Sequence, residues 1–409
     1  MDKIKENYDF NLESKHIKAE QEVTLFQAEN FYDPNKSQRR NCENFVLKPE
    51  PIMALDRILG VHPLHNSHNV FFNKDPKLAS ELLYTQANCI VGYHDKLQKQ
   101  RLLLSKEVGE ITNFAVTKGF CVTVSSQETG KVERKSGAPE TELLLAVWCL
   151  ETSKVVKTLK PPLQRMTNID ISSDQSALAV SGKDVQGREL ILIYSFQDLV
   201  KFKKIELLGR QQADFQLTSL KFLQGLNNML IGVGKSFDAD PEKKDKYYEA
   251  CSFIRIFKVK NNYLPSQMVT LNQTAKNTYF NNSCAGQNSY RDSKGQSKIN
   301  TFYVTTTCGL VYVINVHSRQ VEKVLQLHDS EITCIFNTPK FIFTASKTGS
   351  LKIWAPDFQR LVSEIAVNQQ IKACDVNAEG SEISVLSHDG TLSLLELDSS
   401  TFKVIMRSH

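Results

Sequence analysis

The chain has 409 residues, 41% of them apolar and 9% aromatic, and carries 50 Lys/Arg against 45 Asp/Glu, a net charge of +5. That length accommodates two ordinary domains or one large all-β domain, and the apolar content excludes disorder of the chain as a whole. Residues 1–50 hold eight basic against ten acidic residues, which leaves 42 against 35 for residues 51–409. A body so mildly basic can attract an acidic partner but falls far short of a nucleic-acid footprint.

The first segment, 1–50, is polar and aperiodic and reads as a tail that is disordered or docks elsewhere. It has no apolar core of the kind a signal peptide needs, and no later run reaches the ~18 apolar residues of a membrane span. Nine cysteines are scattered without a CxxC pair, several of them inside apolar runs such as "FCVTV" and "ITCIF". Reduced, packed thiols in a soluble intracellular protein are the expectation.

From residue 51 onward, short stretches of alternating apolar and polar residues recur, separated by Gly, Asp or Asn turns. After "ALDRILGV" (54–61), a candidate strand for joining the two ends of an array, come "HNVFFNKDPKLASELLYTQANCIVGYH" (68–94) and "ITNFAVTKGFCVTVSSQ…ELLLAVWCL" (111–150). "MTNIDISSDQSALAVSGKDVQGRELILIYSF" (166–196) and "LTSLKFL…NMLIGVG…SFIRIFKV" (217–259) follow, then "FYVTTTCGLVYVINV" (302–316). The clearest copies are the last two, "HDSEITCIFNTPKFIFTASKTGSLKIW" (328–354) and "IKACDVNAEGSEISVLSHDGTLSLLELD" (371–398). Apolar segments at 154–159, 268–271 and 321–327 suit an outer strand, and "TFKVIM" (401–406) competes with 54–61 for the closing role. Four strands per unit at intervals of about 40 to 55 residues predict an all-β propeller over 51–409, with about seven blades.

These residues resemble the WD40-repeat family. The resemblance implies a structural hydrogen-bond network within a blade. It carries over to His328, Thr344 and Trp354, with Thr348 where the family has an Asp, and in part to Ser387 and Asp389 of the last copy and Trp148 of the second. The polar tail, the opening "LDRILGVHP", "LLYTQANCIVGYH" and the degenerate blades look most like WD-repeat proteins of cilia and the microtubule cytoskeleton.

Three motifs invite a chemical reading. "GVGKSF" (232–237) places Gly-Lys-Ser after an apolar strand, but position 229 is Met where a phosphate loop needs Gly, and no helix pattern follows. A β-turn opening a long loop is the simpler reading. His62, His65 and His68 stand three apart in "HPLHNSH", where Pro63, Asn66 and Ser67 favour a loop and no Cys or carboxylate pair joins them. With no nucleophile elbow, paired carboxylates or metalloprotease helix, the expectation is no catalytic residue, no metal and no cofactor. Three loops stand out at 127–142, 235–250 and 281–298. Lys243, Lys244, Lys246, Tyr247 and Tyr248 in the second combine cation and aromatic, a composition enriched at interfaces, and form a candidate partner-binding loop.

The functional expectation is a non-catalytic scaffold that binds proteins, tubulin or other axonemal and cytoskeletal proteins among them, without nucleic acid or membrane. It would sit in the cytoplasm, at the cilium or cytoskeleton. The alternative is an adaptor in signalling or ubiquitin-ligase substrate recruitment.

Overall fold

The computed structural model describes residue 61 and residues 70–407, apart from 76–77, 79, 133–138, 207–213, 224–225, 240–246, 260–265, 272–278, 287–288, 292–296, 378 and 400. The predicted tail at 1–50 and the segment 54–60 lie outside the described residues. Those described fall within one compact unit, Asp56–His409.

That unit is all-β, with seven four-stranded antiparallel sheets, each made of strands consecutive in the sheet. The first holds β1 (Val70–Phe72), β2 (Glu81–Gln86), β3 (Cys89–His94) and β4 (Lys99–Leu103). The second holds β5 (Glu110–Thr117), β6 (Phe120–Val132), β7 (Pro139–Cys149) and β8 (Lys154–Leu159). The third is β9 (Arg165–Ile171), β10 (Ala177–Lys183), β11 (Glu189–Ser195) and β12 (Lys201–Glu206). The fourth is β13 (Asp214–Leu223), β14 (Leu226–Ala239), β15 (Tyr247–Lys258) and β16 (Ser266–Met268). In the fifth, β17 (Phe280–Ala285) is followed by a separate hairpin of β18 (Ser289–Arg291) and β19 (Ser297–Ile299) before β20 (Thr301–Thr306), β21 (Leu310–Asn315) and β22 (Val321–Gln326). The sixth is β23 (Ile332–Asn337), β24 (Ile342–Ser346), β25 (Ser350–Trp354) and β26 (Leu361–Ala366), and the seventh β27 (Ile371–Val376), β28 (Glu382–Ser387), β29 (Leu392–Glu396) and β30 (Thr401–Met406).

Burial follows position in the sheet. The second and third strands are covered on both faces: Leu82, Leu83, Tyr84, Leu178, Ala179, Val180, Ile191 and Leu192 are each at most 1% exposed. Fourth strands are largely open to water: every residue of β8 and β22 is exposed or half-buried. The apolar side chains gather into seven clusters, each drawn from two neighbouring sheets. One of them joins Val70, Phe72, Leu82 and Tyr84 of the first sheet to Leu386, Leu392, Leu394 and Met406 of the seventh. The array is therefore a closed ring, a seven-bladed propeller. At roughly 1.5–3 kcal/mol for each fully buried large side chain, these inter-blade clusters are the main source of its cohesion.

Hydrogen bonds between an inner-strand side chain and the backbone of the adjacent inner strand reinforce six of the seven junctions. Asn113 Nδ2 donates to Thr167 O at 3.1 Å, Phe222 N to Asp170 Oδ2 at 2.6 Å, and Thr218 Oγ1 to Phe280 O at 2.7 Å. Asn281 Nδ2 donates to Ile332 O at 2.7 Å, Cys374 N to Cys334 Sγ at 3.1 Å, and Phe72 N to Asp375 Oδ2 at 2.8 Å. Between the first and second sheets the rings of Phe71 and Phe114 meet edge to face, centroids 4.8 Å apart. There Arg101, held by Glu81 through two bonds of 3.0 and 2.8 Å, also donates to Leu150 O.

Several sequence expectations need correction. "TFKVIM" is the outer strand of the seventh blade, so it does not supply a closing strand to another sheet; the first and last blades meet face to face instead. The insertions expected as loops at 127–142 and 235–250 are in large part paired backbone: Gln127 faces Glu142, Glu128 faces Thr141, Ser236 faces Cys251 and Asp238 faces Tyr248. The segment 281–298, expected as a loop, contains most of the inner strand β17 and of the β18–β19 hairpin. Its Asn residues hide the strand from pattern reading because they are spent on polar contacts, Asn281 on Ile332 O and on the Thr305 hydroxyl, each at 2.7 Å. The outer strand expected at 268–271 is shorter and earlier, at Ser266–Met268.

Candidate protein-interaction site

Within the sixth blade, His328 Nε2 lies 2.8 Å from Thr344 Oγ1, and the same oxygen accepts from Trp354 Nε1 at 2.9 Å. His328 is 3% exposed, and burial, with Lys352 nearby, lowers its pKa to about 4, so the ring is neutral. Thr348 is 3.0 Å from both Ser346 Oγ and Ser330 Oγ, a hydroxyl cluster in the β24–β25 turn. In the seventh blade, Asp389 caps its own turn by accepting from Thr391 N at 2.9 Å and from Gln369 Nε2 at 2.7 Å, while Ser387 Oγ donates to Gln369 Oε1 at 3.1 Å. In the second blade Trp148 Nε1 donates to Thr123 Oγ1 at 2.8 Å. Thr123 sits two residues beyond the cross-strand partner of Trp148, as Thr344 does relative to Trp354. Sequence reading missed Thr123, although this fixed offset from the Trp was available to find it. Each of these groups bonds neighbours within or beside its own blade.

The motifs considered for chemistry fall elsewhere. Gly232–Phe237 lies within β14, paired to β13 and β15, so its N–H groups belong to a ladder and no turn opens there. Lys235 Nζ stands 4.0 Å over the Tyr279 ring. His62, His65 and His68 lie outside the described residues, as do Lys243, Lys244 and Lys246. Tyr247 and Tyr248 are described only as backbone of β15, opposite Ala239 and Asp238. Among the described residues, no three His, Cys, Asp or Glu side chains meet as a metal site, and the described cysteines are free thiols.

The ring encloses a central channel with a cavity at each end. One, of about 460 Å³, is bordered by the beginnings of inner strands and the ends of second strands; the other, of about 570 Å³, lies where inner strands finish. The smaller cavity is basic. Arg165, Lys183, Lys221, Lys347 and Lys372 line it against a single carboxylate, Glu331. Glu331 is 3.4 Å from Lys347, and Lys221 reaches Asp170 at 3.7 Å. Burial lowers the Lys372 pKa; burial, with Lys372 and Lys347 close by, lowers that of His388. Behind this rim, Glu189 is 2% exposed, and burial pushes its pKa up to about 7 despite Lys183 and Arg165.

Antiparallel order places every turn between second and third strands at the same end of the ring as the start of the inner strands. The extended β6–β7 and β14–β15 ribbons therefore rise on the basic side, one on each side of the third blade that carries Arg165 and Lys183. None of the rim cations stood out in the sequence, because they come from blades whose strands are up to 207 positions apart.

No model of a known protein family matches the chain. It is 23% identical over 281 residues to centriole proteome protein 16 of Chlamydomonas reinhardtii, a match covering 66% of this chain and 13% of that protein. It is 20% identical over 382 residues to WD repeat-containing protein 90 of Xenopus tropicalis, covering 89% of this chain and 19% of that protein. The chain thus spans less than a fifth of either relative. Among solved structures it is similar to the β-propeller domain of Cps50 (Swd1) from Myceliophteria thermophila, with 10% identity, a TM-score of 0.49, and coverage of 69% of this chain and 82% of that one.

Proposed function

We propose, from the premise that this chain is a WD40-like β-propeller with degenerate repeats, that it is a non-catalytic protein-interaction scaffold of a centriolar, ciliary or microtubule-associated assembly. The observation that carries the reading is the 281-residue similarity to a protein named for the centriole proteome. The geometry supports it through what the buried polar groups do. His328 and Asp375 are each engaged in holding blades in shape, and the accessible feature of the channel is a charged rim suited to contact.

Tagging the chain at its own locus and labelling its neighbours in cells tests this. Signal at centrioles or axonemes, with structural proteins of those organelles among the labelled neighbours, is expected. A diffuse signal with no such neighbours would overturn the assignment. Co-sedimentation with microtubules at low salt separates direct association with the polymer from recruitment by another component.

A further inference from the structure

We infer that the basic mouth of the channel, between the raised ribbons of the second and fourth blades, binds an extended polypeptide segment rich in Glu and Asp. This rests on reading the chain as a protein-binding scaffold and adds the place and the chemistry of one partner.

The charge arrangement is the first ground. Lys347 and Lys221 each have a carboxylate within 4 Å, and Arg165 and Lys183 add positive charge to a rim whose one acid is Glu331. Arg165 and Lys183 face each other directly across the β9–β10 pair. Like charges so placed are destabilising in an antiparallel sheet, and an anion above them relieves the cost. Glu189, opposite Lys183 on the other side, does this only in part, since it is buried and about half protonated at neutral pH.

The lining chooses between ligand classes. A cavity of about 460 Å³ in the middle of the ring takes a few residues of a single extended chain and excludes a duplex. Thr167, Asn168, Thr218 and Thr333 make the wall below the rim polar, with their side chains bonded within and between the blades. The two aromatic rings present, Phe71 and Phe114, are packed edge to face on one another, so they make no platform for stacked bases.

The test is fluorescence anisotropy of the full 409-residue chain at low ionic strength with labelled decaglutamate, beside decaglutamine and a single-stranded thymidine decamer. Decaglutamate should bind and decaglutamine should not. Lys183→Glu and Arg165→Glu, both at exposed positions, should each weaken binding about tenfold, while Lys154→Glu on the outer strand β8 should change it less than about twofold. Unchanged circular dichroism and melting of the variants shows that folding is not the cause. Absence of decaglutamate binding, equal loss in the Lys154 variant, or tighter binding of the thymidine decamer would each overturn the inference. A chain found at centrioles that ignores decaglutamate defeats only this inference; one that binds decaglutamate but is absent from centrioles defeats the cellular assignment instead.

Discussion

Glu189 is one of the buried groups that give the ring its pH response. Its Oε1 accepts from the Thr167 hydroxyl at 3.4 Å, and burial raises its pKa from 4.5 to about 7 against the lowering pull of Lys183 and of the bonds from Thr167 and the Leu217 backbone. The folded state therefore holds this proton more tightly than the unfolded chain. Its contribution is fully present below pH 4.5 and is lost as pH rises through 7. His328 acts with the opposite sign: lowered to about 4, it contributes above pH 6.5 and is lost as pH falls towards 4. Glu189→Gln is expected to raise stability at pH 8 by about 1–2 kcal/mol and to flatten the urea midpoint between pH 6 and 8. A variant no more stable than the parent at pH 8 would show that the carboxylate is better solvated than its position indicates. The Trp–Thr pairs belong to the same scale. Trp354 and Thr344 could be picked out because the third-strand Trp is a visible marker, whereas Glu189 could not, since nothing local distinguishes a carboxylate that tertiary packing will bury.

Among the elements, tight turns separate what local conformation demands from what surroundings demand. Gly119 and Gly309 both have positive φ, 75° and 82°. A Cβ on Gly119 would meet nothing within 4 Å, while one on Gly309 would lie 1.9 Å from His328 O, a carbonyl on the next blade's entering segment. Gly119→Ala should cost about 1 kcal/mol and Gly309→Ala on the order of 2–3 kcal/mol or more, compared by urea denaturation at one pH. Equal costs would mean that backbone strain alone governs both turns. The turn glycines were legible in the sequence; the carbonyl behind Gly309 was not. The extended ribbons mark another limit of pattern reading. Glu110 is opposite Ser126, so beyond that point β6 has no inner strand beside it. A ribbon paired only to its own neighbour, with no inner strand alongside, falls outside the four-strand repeat, and its sequence reads as loop. The first-strand segment of the fifth blade escapes pattern reading for a different reason, since Asn281 and Asn282 bond the neighbouring inner strand where an apolar alternation would be expected.

For the molecule as a whole, the junction between the seventh and first blades is distinctive because the contacts across it join residues more than 300 positions apart. Phe72 N donates to Asp375 Oδ2, the Tyr84 hydroxyl meets Met406 Sδ at 3.2 Å, and Lys403 pairs with Asp95 at 2.8 Å. Burial raises the Asp375 pKa to about 6, so this bracket too is costlier above that pH. Asp375→Ala should speed hydrogen exchange in β1 and β27 ahead of the other blades and lower stability by about 1–3 kcal/mol. The matching variant at an internal junction, Asp170→Ala, should loosen β9 and β13 instead. Uniform acceleration around the ring in either variant would show that the blades open only together.

Alternation of period two, Gly and Asp at the turns and repetition at about 40 to 55 residues were enough to give an all-β propeller of about seven blades, because a half-buried strand and its turn are dictated by neighbours along the chain. Closure, the inner ring of hydrogen bonds and the basic mouth were decided only in three dimensions. Each joins residues from different blades, and the polar and charged side chains involved obey no local period. A lysine bordering the channel and a lysine on the outer strand look alike in the sequence, and only the curvature of the ring brings Arg165, Lys183, Lys347 and Lys372 to a common opening.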